Sequence, residues 1–235
     1  MSLTVANIAA QSEKTKAAHL PALVCESILS GTANKAYLRN QEIFIEGDAK
    51  QNVYQVESGA VCLYRTMADG RRQIFDFAFA GDIIGLGASG VHSCSAQAIG
   101  TAMLKSIPLS RLYRLATEDS RFALDLYRAV SAQLDATRDL LLSLGQQSAI
   151  ERVAIFLLTL SKRNAANGKN ANLLSIPMTR SDIADLLGTT IETVSRSLSK
   201  LRQERLIEII RGSLIQVINM EGLKSAAGQA EATFH

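Results

Sequence analysis

A chain of 235 residues can bury one large core or two modest ones without disulfides or metals. Its 47% hydrophobic and 20% charged residues, with 15 Gly and 3 Pro, exclude disordered, collagenous and low-complexity classes. The net charge of +3 is uneven: 14 Lys+Arg stand against 14 Asp+Glu in residues 1–145, and 11 against 8 in residues 146–235. The positive excess therefore lies in the last third, a mild pointer to an acidic partner there. Cys25, Cys62 and Cys94 are an odd set with no CxxC pair, which fits neither a disulfide framework nor a zinc ribbon and points to a reducing cytoplasm. The apolar stretch 20–29 is broken by Glu26 and lacks a basic flank, so neither membrane insertion nor export is expected.

In chain order, residues 12–31 carry Leu20, Leu23, Val24, Ile28 and Leu29 at helical spacing and stop at Gly31, giving an N-terminal helical segment over 1–34. Over 35–110 the period changes. Short β-branched and aromatic runs at 42–46, 52–56, 60–64 and 73–79 are punctuated by Gly47, Gly59, Gly70 and Gly81, the rhythm of an antiparallel β-roll or jelly roll. In the 73–79 run, strict alternation sets Ile74 opposite Phe75, Phe77 and Phe79 and predicts a core face of three aromatics.

After Pro108 the pattern is helical, with a dimerisation helix assigned to 111–145. Positions 123, 127, 130, 134, 137, 141 and 144 follow a 4,3 spacing with six of seven residues apolar, as in a coiled-coil seam. Tyr127, Val130, Leu134, Leu141 and Leu144 are its large members and predict a homodimer, with Leu126 covering the β-roll. The alternative is a single helix packed on its own domain. Gly145 to Ser148 reads as a hinge, 149–163 as a helix and 164–172 as a loop. A last domain is expected over 146–235, ending in a short helix after Glu221.

Residues 179–205 are the most informative. Thr179 and Asp182 form a capping-box start; Ile183, Leu186 and Leu187 give an apolar face; Gly188 ends the helix. Thr190 caps a second helix whose Ile191, Val194, Leu198 and Leu201 are expected to point inward, with small Ala184 at the crossing. This is a helix-turn-helix. On the second helix Glu192, Ser195, Arg196 and Ser199 project together. The bland reading is a solvated face with an i,i+4 pair. The sharper one is a major-groove reader, since Arg can donate bidentately to guanine and Glu can accept from cytosine N4. Runs 206–210 and 213–218 flank Arg211-Gly212 as a hairpin wing. Over 151–211, 10 basic residues face 6 acidic ones, which suits phosphate approach, with Arg180, Thr190 and Lys200 as the candidate contacts.

GDIIG at 81–85, SAQAIGT at 95–101, AIERVA at 149–154, MTRSDIADLLG at 178–188 and IETVSRSLSKL at 191–201 together resemble the bacterial CRP/FNR superfamily of transcription regulators, in its FixK-like branch. The resemblance implies an α+β chain: an N-terminal antiparallel β-roll like cyclic-nucleotide-binding jelly rolls, a long dimerisation helix and a C-terminal winged helix-turn-helix. It also implies an activator, a homodimer on a palindromic operator of TTGA-like half-sites in double-stranded DNA, and RNA polymerase as a partner. Glu192, Ser195 and Arg196 match the E-x-x-S-R reading head of the FNR type.

The family's cyclic-nucleotide pockets hold the ribose with a Glu and the phosphate with an Arg-Ser pair. The matching positions here are Leu86 and Cys94-Ser95, so cAMP is not expected. An iron-sulfur cluster of the FNR type needs four Cys ligands, and the chain has three Cys. His92 and Cys94 read as ordinary polar loop residues and Cys62 as a small buried hydrophobe, so no cofactor and no metal is expected. A cupin-like enzyme would need a convergent His/Glu set, whereas 35–110 contains a single His. Two alternatives stay open: a regulator dependent on an unidentified small ligand in the β-roll, and a ligand-binding signalling module without DNA function.

Overall fold

The structure, a computed structural model, describes residues 32, 34–211 and 213–228, so the helical segment expected over 12–31 lies outside the described residues. The chain divides into two compact units, one ending at Leu134 and the other starting at Asp135.

The first unit is a β-roll of eight strands: β1 Asn34–Tyr37, β2 Glu42–Phe44, β3 Asn52–Ser58, β4 Ala60–Thr66, β5 Arg72–Phe79, β6 Ile83–Ile84, β7 Ser95–Ala98 and β8 Ala102–Pro108. They form two four-stranded antiparallel sheets, β1-β8-β3-β6 and β2-β7-β4-β5. The inner faces meet in a core of Tyr37, Phe44, Val56, Val61, Leu63, Ala78, Ile84 and Leu104 with small Ala96 and Ala98. At the β3–β4 turn, Gly59 holds φ +85°, and a Cβ there would lie 2.4 Å from the Thr101 carbonyl oxygen; only glycine fits. The outer face of the first sheet offers Val53, Ile83 and Ile107 to Leu112 of α1 (Leu109–Glu118) and to Phe122 and Ala129 of α2 (Ser120–Gln146), with Leu126 packed alongside. Leu126 thus covers the β-roll as its position in the pattern predicts.

One strand departs from the alternation. The β4–β5 register pairs Leu63 with Asp76 but Tyr64 with Ile74, leaving Phe75 as an extra residue in a bulge. The slip by one brings Ile74 onto the face of Phe77 instead of opposite it. Ile74 and Phe77 are buried, while Phe75 is 40% exposed. The three-aromatic core face is therefore corrected, because a period-2 count holds only where the ladder is unbroken.

The second unit contains the end of α2, α3 (Ala149–Ala166), β9 (Leu173–Ser175), α4 (Arg180–Leu186), α5 (Ile191–Gln203), β10 (Ile207–Arg211), β11 (Leu214–Val217) and α6 (Met220–Ala226). Ser148 and Glu151 form a reciprocal capping box that starts α3. Leu157, Leu174, Ile183, Leu201, Ile207, Ile215 and Leu223, one from each element after α2, are fully buried. The wing is a three-stranded antiparallel sheet, β10-β11-β9. Its third strand is signalled by the alternation of Leu174, Ile176 and Met178, all buried, which the polar run before it masks in a sequence reading. Gly212 lies outside the described residues.

Candidate nucleic-acid interface

The reading head is built by two caps and one glycine. The Thr179 hydroxyl accepts from the Asp182 N–H at 3.1 Å, and the Asp182 carboxylate accepts from the Thr179 N–H at 2.9 Å, so two otherwise orphaned donors of α4 are satisfied. Gly188, at φ +57°, ends α4, and the Thr189 N–H returns to the Ala184 carbonyl at 3.0 Å. Thr190 then caps α5, accepting from the Thr193 N–H at 3.2 Å. Thr179→Ala is expected to cost about 0.5–2 kcal/mol of stability, measured as a lowered denaturation midpoint at unchanged slope.

Ile183, Ala184, Leu186 and Leu187 are buried as expected, and so are Val194, Leu198 and Leu201. Ile191 is not: it is 46% exposed. It is the first residue of α5, where a helical side chain leans toward the N-terminal end of the helix. Ser197 takes a buried place beside Leu198 that the 3,4 pattern did not assign to it.

The opposite face of α5 is exposed at Glu192, Ser195, Arg196, Ser199 and Lys200. Glu192 and Arg196 do not simply neutralise one another. The Arg196 guanidinium donates to the Thr193 hydroxyl at 3.2 Å. The Glu192 carboxyl is held below its usual range first by its own backbone N–H, then by the Thr190 hydroxyl, with the Arg196 charge a smaller contribution. Both charged ends therefore remain on offer, one as an acceptor in the first turn and the other as a fork of donors one turn later. Thr193 was not singled out in the sequence; its spacing of three from both Thr190 and Arg196 is the signal. Lys200 is exposed and only loosely paired, with Glu204 at 4.0 Å. Arg180 is half-buried at the start of α4, where burial holds its guanidinium below the usual arginine pKa. The Thr190 hydroxyl is committed to capping and to Thr193.

Along α2, Tyr127 is 68%, Val130 46%, Leu134 50% and Leu141 64% exposed. Leu124 and Leu142 widen this apolar stripe. Leu144 stands apart: it is half-buried, and a Cβ at Gly188 would lie 3.4 Å from its Cδ2, so it packs beside the turn of the reading head.

In the β-roll, the positions expected to hold a nucleotide are differently engaged. Leu86 packs against the outer-face cluster of the first sheet. The Ser95 hydroxyl, buried, accepts from the Glu46 N–H at 3.0 Å. Burial, chiefly, raises the Cys94 thiol pKa. His92, read from the sequence as an ordinary polar loop residue, is buried, 4% exposed, and stacks on Phe44 with ring centroids 3.9 Å apart. Tyr54 stacks on the same Phe44 ring at 5.7 Å. Burial, then the Lys50 charge, pushes the His92 pKa below 6.5. A depressed imidazole pKa stabilises the fold above the unfolded value and loses that contribution as pH falls below it. His92→Phe, which keeps a ring against Phe44, is thus expected to flatten the fall in melting temperature between about pH 7 and 5, followed by calorimetry. Cys62, 1% exposed, is the small buried residue predicted, with its thiol 3.5 Å from the Gln97 carbonyl.

Residues 34–119 match the cyclic nucleotide-binding domain family, and residues 151–226 match the Crp-like helix-turn-helix domain family. The chain is 38% identical over 188 residues to the nitrogen fixation regulation protein FixK of Bradyrhizobium diazoefficiens, covering 79% of each. It is 33% identical over 196 residues to the fumarate and nitrate reduction regulatory protein of Escherichia coli K12, covering 83% of this chain and 78% of the relative. The solved structure of FixK2 from Bradyrhizobium japonicum superposes with a TM-score of 0.78 at 35% identity, covering 83% of this chain and 96% of that one. The two matched domains, the relatives over most of their length and the capped helix-turn-helix agree: the chain belongs to the CRP/FNR family of transcription regulators, with FixK-type regulators among its relatives.

Proposed function

We propose that the chain is a homodimeric transcription activator that reads a palindrome of TTGA-type half-sites without cAMP and without an iron-sulfur cluster. The observation that carries the reading is the exposed face of α5, where Glu192, Ser195 and Arg196 stand together in solvent on a helix fixed by Val194, Leu198 and Leu201. Glu192 accepts from a cytosine amino group, Arg196 donates to guanine O6 and N7, and Ser195 adapts between them. Arg180, Thr190 and Lys200 approach phosphates; Thr190 does so from a hydroxyl already held by its cap. In this reading 1–34 is an N-terminal segment, 35–110 a sensor-like β-roll, 111–145 the dimerisation helix and 146–235 the DNA-binding domain. RNA polymerase is the partner and the cytoplasm the setting.

Two features support the dimer and the independence from cAMP. The stripe of Tyr127, Val130, Leu134 and Leu141 leaves large apolar side chains in water on one side of a single helix, which a second copy of the same stripe would cover. In the β-roll, the Phe44, Tyr54 and His92 rings pack on one another, and the Arg-Ser pair that would hold a cyclic phosphate is replaced by Cys94-Ser95.

The test is a gel shift with protein purified without added ligand, on a TTGA-type palindrome and on a scrambled duplex. Selective binding with no chromophore in the protein is the expected result. Binding only after a small molecule is added would favour the effector-dependent alternative, and equal binding to both duplexes would remove the base-reading assignment. Arg180→Ala and Lys200→Ala are each expected to lower the slope of log affinity against log salt by about 0.9; an unchanged slope removes that residue from the phosphate contacts.

A further inference from the structure

Inside a helix a threonine hydroxyl commonly turns back to a carbonyl three or four residues earlier. Thr117 and Thr159 do so, donating to the Arg114 carbonyl at 2.7 Å and to the Ile155 carbonyl at 2.9 Å. Thr193, half-buried in the first turn of α5, takes another course. Its hydroxyl meets two side chains: the Thr190 hydroxyl at 3.0 Å and the Arg196 guanidinium, which donates from Nη2 at 3.2 Å.

Counting protons fixes the direction of these bonds. A hydroxyl has one proton, a carboxylate only accepts and a guanidinium only donates. The Thr190 hydroxyl gives its proton to the Glu192 carboxylate, while its oxygen accepts from the Thr193 N–H at 3.2 Å. Between the two threonines Thr193 is therefore the donor, and the lone pairs left on its oxygen accept from Arg196. Arg196, Thr193, Thr190 and Glu192 thus form one relay in which every proton has a place. The relay matters because a Glu and an Arg at i,i+4 attract one another and would close into a pair that occupies both reading ends. Here the guanidinium goes to the neutral Thr193 oxygen instead.

We propose that Thr193 is a positioning residue of the base reader: anchored through Thr190, its hydroxyl sets the Arg196 fork before DNA arrives and keeps it off Glu192. The role rests on the base reading proposed for Arg196, and Thr193 itself touches neither base nor phosphate in it. An arginine ordered in advance loses less rotamer freedom on binding. Nη2 carries two hydrogens, so giving one to Thr193 leaves the fork able to pair with guanine O6 and N7. When Glu192 turns to a cytosine, the Thr190 proton is released toward a phosphate, and the other two bonds of the relay are undisturbed.

The experiment is a double-mutant cycle on the full-length protein, read by competition binding to the TTGA-type palindrome, to its single-base variants and to random duplex. Thr193→Val keeps the β-branched shape and the backbone N–H but removes the hydroxyl. It is expected to weaken specific binding about three- to tenfold, with the loss confined to the guanine that Arg196 reads and the affinity for random duplex unchanged. Thr193→Ser is expected to restore most of the loss. In an Arg196→Ala background, Thr193→Val is expected to have no further effect, because its partner is gone. The same loss in both backgrounds would make Thr193 a contact in its own right or a mere support of the helix, and would overturn the positioning role; so would full discrimination by Thr193→Val. Failure of the base reading itself shows separately, as equal loss on specific and random duplexes in Arg196→Ala alone, and overturns both. If Thr193→Val does not fold, Thr193→Ala carries the same comparison.

Discussion

A Leu134→Asp protein is expected to sediment as a monomer and to lose ~10²–10⁴-fold in affinity for a two-half-site operator. Leu134 is 50% exposed in the middle of the α2 stripe, between Val130 and Leu141, and it is absent from the buried clusters of the first unit. Aspartate at this position therefore leaves the subunit fold intact while setting two carboxylates against each other across the seam, with Asp135 and Asp139 already on the same helix. Each reading head then binds by itself and loses the gain of a linked partner. Sedimentation velocity and a gel shift on one and two half-sites check both parts. A Leu134→Asp protein that remains dimeric would return the stripe to ordinary surface.

Arg196→Ala is expected to cost about 1–3 kcal/mol of binding to the specific duplex, roughly 5- to 150-fold, while barely changing the affinity for random duplex. The asymmetry follows from geometry. A base-reading fork loses two hydrogen bonds at one guanine, whereas a phosphate contact is worth the same on any sequence. Arg196→Lys is expected to recover only part of the loss, because an ammonium lacks the planar fork. Competition binding with single-base operator variants measures this: the alanine protein should stop discriminating at one position of each half-site. Equal loss on specific and random duplexes would contradict base reading. Thr193, which holds the guanidinium at 3.2 Å in the free protein, must release it or turn with it on binding.

The caps and the turn of the reading head were legible in the sequence because they depend on neighbours three residues apart. Thr179 with Asp182, Thr190 before α5, and Gly188 in the left-handed region need no distant partner to be recognised. The glycines at 47, 59, 70 and 81, all at positive φ, marked the turns of the β-roll for the same local reason. Phe75 and Ile191 were misjudged because their burial is decided by more than the period of their own element: a bulge in the β4–β5 ladder re-aims Phe75, and Ile191 stands at the very start of α5. Strand β9 was hidden because three residues become a strand only when β11 supplies the facing backbone.

The sequence by itself determined the family, the order of β-roll, long helix and helix-turn-helix, and the residues of the exposed α5 face, since each rests on a local period or cap. Tertiary structure alone decided what the polar side chains of the β-roll meet across the fold: it stacked His92 on Phe44 and set the Ser95 hydroxyl to accept from the Glu46 N–H. It also buried Lys50 beneath Gly87 with one acceptor. Desolvation and pairing depend on groups brought together from distant parts of the chain, and no spacing rule contains them.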